Sequence, residues 1–76
     1  MGKPERVDTF GILVIAEQCK PHLVGHAPEV QGAVLAELLS LFVAGHAPEL
    51  RDEILDAHIR IVRELVKINA KILGVM

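Results

Sequence analysis

A pentapeptide occurs twice in this chain, Gly25-His26-Ala27-Pro28-Glu29 and Gly45-His46-Ala47-Pro48-Glu49, twenty residues apart and each time followed by an aliphatic residue. Glycine suits the left-handed position just past a helix C-terminus. Proline suits the first position of the next helix, where its missing N–H would have had no partner anyway. The repeat therefore predicts two helix-to-helix junctions and three helices, over residues 8–20, 28–44 and 48–73, after a loose polar lead-in at residues 1–7. A period of twenty holds one helix and a turn, too little for the helix pairs of α-solenoids. The expected fold is all-α: one 76-residue domain of three helices with tight Gly-His-Ala-Pro turns, the longest helix being C-terminal.

Each helix carries its own signals. Asp8 or Thr9 suits an N-cap for the first, and Pro21 ends or kinks it. The run Phe10-Gly11-Ile12-Leu13-Val14-Ile15-Ala16 also fits a buried strand, but a lone strand would need a second subunit to pair with, so helix is the favoured reading. The second helix is apolar on most of its circumference, which predicts burial. The third has Glu49, Asp52, Glu53 and Asp56 in its first turns and Arg60, Arg63, Lys67 and Lys71 later, the arrangement favoured by the helix dipole, and Gly74 suits its stop. Asp56 with Arg60 and Glu64 with Lys67 are spaced for surface pairs.

The apolar face of the third helix has two adjoining seams. One reads Ile54, His58, Ile61, Leu65, Ile68, Ile72; beside it run Leu55, Ile59, Val62, Val66, Asn69 and Leu73. At about 1.5 Å per residue the third helix is about 39 Å long and the second about 25 Å. A short turn at Gly45–Ala47 implies that the two run antiparallel, so the shorter one gives out near Leu65 and leaves Ile68, Ile72, Leu73, Val75 and Met76 uncovered. The expectation is a homo-oligomer, most simply a two-fold dimer, formed through Ile54, His58, Ile61, Leu65, Ile68, Asn69, Ile72 and Leu73. Composition agrees. Apolar residues are 51% of the chain before glycine is added, whereas about 45–50% with glycine is usual. Between Thr9 and Pro48 the only charges are Glu17, Lys20, Glu29 and Glu37.

The same pattern bears on function. No apolar run reaches the 18 or so residues of a membrane span, since Glu17 and Glu37 break the longest ones. No basic leader with a cleavage site opens the chain, so a cytoplasmic protein is expected. The single cysteine, Cys19, allows no internal disulfide. A net charge of −2 argues against nucleic acid. The second and third helices also differ from a DNA-binding helix-turn-helix, because Glu49, Asp52 and Glu53 occupy the turns that would face phosphate. No enzyme is expected: Ser40 has no Gly-x-Ser-x-Gly elbow, Asp8 and Thr9 have no base, and there is no phosphate loop or His-Glu-x-x-His.

Other candidates are weaker than their structural readings. Cys19, His22 and His26 have a spacing that zinc accepts, but Pro21 interrupts them and only His46, His58 or another subunit offers a fourth ligand. His26 and His46 precede helix N-termini suited to anions, yet Glu29 and Glu49 repel anions there, and packing over the preceding helix end accounts for both histidines. His58 on an apolar seam suits a pH switch or, more ordinarily, a neutral hydrogen-bonded ring. Asn69 suits a residue that sets helix register. No cofactor or metal is therefore assigned. The expected function is a non-enzymatic oligomerising or protein-interaction module that meets itself and another protein. The alternatives are a carrier of a lipid-like ligand between subunits and a small zinc-binding protein using Cys19, His22 and His26.

Overall fold

The structure, a computed structural model, describes residues 8–75. The expected lead-in at residues 1–7 and the expected exposure of Met76 lie outside them. The described residues form α1 (Thr9–Cys19), α2 (Pro28–Ala44) and α3 (Arg51–Leu73), with single 3-10 turns at Lys20–His22 and Pro48–Leu50. The fold is all-α, with no strand among the described residues. The run at residues 10–16 is helix. The chain falls into two units divided between Val34 and Leu35.

In the first unit the Asp8 carboxylate caps α1, accepting from the Phe10 N–H at 3.2 Å, while its carbonyl accepts from Ile12 at 2.9 Å. α1 gives way to a 3-10 turn that contains Pro21, a residue without an N–H to continue the ladder. Glu17 pairs with Lys20 on the exposed surface. Gly25 follows at φ +89°, a left-handed conformation that reverses the chain at little steric cost only for glycine. Ala27 then offers its carbonyl to Val30 and Gln31, each at 3.0 Å, and Pro28 opens α2 directly. Leu23 and Gln31 are half-buried beside this turn. The large side chains of α1 stay in solvent, Phe10 at 75% exposure and Leu13 at 59%.

In the second unit α2 ends without a left-handed residue. Gly45 donates to Leu41 at 3.1 Å and His46 to Val43 at 3.1 Å, and Ala47 is extended (φ −58°, ψ 139°). Pro48 begins a 3-10 turn rather than an α-turn, so the α-helical part of the third helix starts at Arg51, three residues later than expected. The left-handed Gly expected at both junctions is present only at the first. α3 ends at Gly74 (φ 75°), with Val75 donating to Ala70 at 2.9 Å and Gly74 to Lys71 at 3.2 Å, the paired bonds of a Schellman motif.

Residues 35–44 do not run back along α3 as an antiparallel partner. They meet it at the elbow, where Leu39, Val43, His46, Arg51, Ile54, Leu55, Ala57 and His58 are half-buried. Past His58 the apolar residues of α3 have no other segment of their unit laid on them: Ile61 is 54% exposed, Leu65 47% and Ile68 54%. Most residues of α2 expected to be buried are open as well, among them Leu38 (59%) and Leu41 (61%), while Leu39 and Val43 are half-buried. Among the described residues none is fully buried. A short turn limits the distance between two helix ends but not their crossing angle, and the second turn holds the helices apart.

Candidate self-association surface

The elbow of the second unit holds one end of α3. Phe42 stands between two imidazoles: the His46 ring meets it edge-on with centroids 4.9 Å apart, and the His58 ring lies tilted at 4.8 Å. His46 also brings Nδ1 within 2.8 Å of the Phe42 carbonyl, one of the orphan acceptors at the end of α2. Arg51 closes the junction, its Nε donating to the His46 carbonyl at 3.1 Å and its Nη2 to the Ala44 carbonyl at 2.9 Å. A planar guanidinium can reach two carbonyls at once, which fixes the direction in which α3 leaves the turn. Beside the guanidinium a shallow apolar hollow is lined by Ala36, Leu39, Val43 and Leu55.

The proposed contact residues are spread from this elbow to the tip of α3. Ile54 and His58 are half-buried at the elbow. Ile61, Leu65 and Ile68 form an open stripe, and Ile72 and Leu73 at the tip are 74% and 75% exposed. Asn69 is exposed and lines a second shallow hollow with Val62, Leu65, Val66, Ala70 and Leu73. The seam spacing of four, three, four, three and four residues keeps the six side chains on one helix face. On the polar face Lys67 reaches Glu64 at 3.3 Å, both about 70% exposed, a pair of little energetic weight. Asp56 and Arg60 do not close into an ion pair. Among the described residues Asp52, Glu53, Asp56, Arg60, Arg63 and Lys71 take part in no salt bridge.

The other candidates are not drawn together. Among the described residues no three His, Cys, Asp or Glu side chains are gathered to hold a metal ion, Cys19, His22 and His26 included. Cys19 is an exposed free thiol. Ser40 donates its hydroxyl to the Glu37 carbonyl at 2.8 Å, an ordinary use of a helical serine. No described helix is long and apolar enough to cross a membrane.

The junction roles of three residues escaped the sequence reading: Phe42, Gln31 and Arg51. Gln31 is the counterpart of Arg51, lying five residues past the repeated histidine. Its amide donates to the His26 carbonyl at 3.1 Å and to the Leu23 carbonyl at 2.8 Å. The repeat thus continues two residues beyond the pentapeptide, to a long donor side chain that folds back over the turn. That position was the available signal. No protein-family model, curated protein or solved structure matches this chain.

Proposed function

We propose that this protein is a non-enzymatic self-associating module, folded as a homo-oligomer, most simply a two-fold dimer, and joined through the apolar face of α3. One observation carries the reading: each unit leaves most of its large aliphatic side chains exposed, and none of the described residues is fully buried. The described residues offer no interior with which to offset the conformational entropy of folding, a deficit that burial against a partner surface can meet. Fully burying an Ile, Leu or Val contributes about 1.5–3 kcal/mol. Side chains such as Ile61, Leu65, Ile68, Ile72 and Leu73, drawn from two copies, therefore supply roughly 10 kcal/mol or more before the association cost of about 4–15 kcal/mol is charged. The apolar faces of α1 and α2 add to the same side of the balance.

Light scattering with circular dichroism tests this. The expected molar mass is a multiple of 8.3 kDa, and helicity falls as the protein is diluted toward the monomer. Ile72→Asp buries a charge at the contact and abolishes both assembly and helical signal at micromolar concentration. A monodisperse 8.3 kDa particle with full helicity would overturn the proposal.

A further inference from the structure

Self-association leaves open how the two copies are oriented, and α3 carries the information that decides this. Between Arg51 and Asp56 stand three acids and one base, with Glu49 just before the helix; between Arg60 and Lys71 stand four bases and one acid. Within the chain these two halves do little for each other. Of the charges of α3, only Glu64 and Lys67 form a salt bridge among the described residues. A helix so polarised complements a second copy laid the opposite way, acidic half beside basic half, with the two macrodipoles opposed as well. A parallel pair sets acid beside acid and base beside base.

The apolar seam is compatible with that orientation at one register. Because its spacing reads the same from either end, a two-fold axis between Ile61 and Leu65 sets Ile54 opposite Ile72, His58 opposite Ile68 and Ile61 opposite Leu65. The same register brings Lys71 level with the stretch between Glu53 and Asp56 of the second copy. Glu64, which falls beside the axis, already has Lys67 at 3.3 Å to offset its charge. The exposed tip of each copy, Ile72 at 74%, then comes to the elbow of the other, where Phe42 is still 48% exposed. In a parallel pair each His58 would instead face its own copy across the seam.

We infer that the occupant of the α3 face is a second copy of this chain in antiparallel orientation, with the two-fold axis between Ile61 and Leu65. This rests on the self-association proposed above and adds its geometry. The test uses the full chain with Cys19→Ser, carrying a spin label at Glu64→Cys or at Lys71→Cys, both on the exposed edge of the seam. With helix axes about 8–10 Å apart and a rise of about 1.5 Å per residue, antiparallel pairing holds the labels at position 64 within about 15 Å of each other. It sets those at position 71 about 25 Å apart. Line broadening at 64 and a long dipolar distance at 71 is the expected result. Short distances at both positions, in samples whose light scattering shows a dimer, overturn the antiparallel geometry and leave self-association standing. A dimer with no coupling at either position overturns the assignment of the contact to α3. A monomeric mass overturns self-association, and this inference falls with it.

Discussion

The two Gly-His-Ala-Pro-Glu junctions share five consecutive residues and fold differently. At the first, Gly25 takes φ +89° and Pro28 opens an α-helix at once. At the second, Gly45 stays out of the left-handed region and Pro48 opens a 3-10 turn. What they share is the side chain seven positions into the repeat, Gln31 or Arg51, folded back onto two backbone carbonyls of the turn. What separates them is the flank. Before the first junction Pro21 has already broken α1 into a 3-10 turn, so reversal falls to Gly25. Before the second, α2 continues unbroken to Ala44, and Phe42 gives His46 both a ring and a carbonyl to hold. The pentapeptide is thus permissive about its turn, and the neighbouring residues select the conformation.

Substitutions at matched positions break or sharpen this contrast. Each is compared by thermal unfolding at one fixed protein concentration, because the proposed self-association would make melting depend on it. The largest difference is expected at the glycines. Gly25→Ala places a Cβ on a backbone that side chains rarely adopt and costs about 1–2 kcal/mol. Gly45→Ala, whose Cβ would meet nothing closer than the Phe42 carbonyl at 3.5 Å, costs less than about 0.5 kcal/mol. Equal losses would mean that the two turns share one geometry.

Next come the side chains that staple the turns. Arg51→Ala removes two charge-assisted bonds and is expected to cost about 1–1.5 kcal/mol, against about 0.5–1 kcal/mol for Gln31→Ala. Arg51→Lys recovers only part of the loss, because an ammonium lacks the fork that spans Ala44 and His46. A fully rescued lysine variant would show that charge, not bidentate geometry, holds the elbow. The smallest effect separates the histidines. His46→Ala loses the Phe42 contact and one carbonyl bond, about 0.5–1 kcal/mol, whereas His26→Ala is near neutral.

Much of the fold was legible because it depends on short-range rules. Asp8 as a cap, Pro21 as a break and the acidic-to-basic gradient along α3 are local signals whose physics needs no knowledge of distant residues. The antiparallel packing of α2 on α3 was inferred from the length of the turn alone, and there the reasoning failed. The elbow is held by Arg51 reaching two carbonyls and by the Phe42 ring meeting those of His46 and His58, contacts that no periodicity reports. Leu38 and Leu41 show the same limit from the other side: all-round apolarity predicts burial, yet both side chains are exposed.

The candidate surface was legible to a similar degree. The positions from Ile54 to Leu73 share a face by helical spacing alone, and the crowding of apolar residues against few charges follows from composition. Their exposure, the half-burial of Ile54 and His58 at the elbow and the place of Phe42 in it required atoms in space. The division has a physical cause. Helix location, helix ends and amphipathic faces follow from interactions within a few residues along the chain, so the order of residues encodes them directly. Crossing angles, ring contacts and the choice of conformation at two identical pentapeptides arise from groups brought together in three dimensions, and only the folded arrangement selects among them.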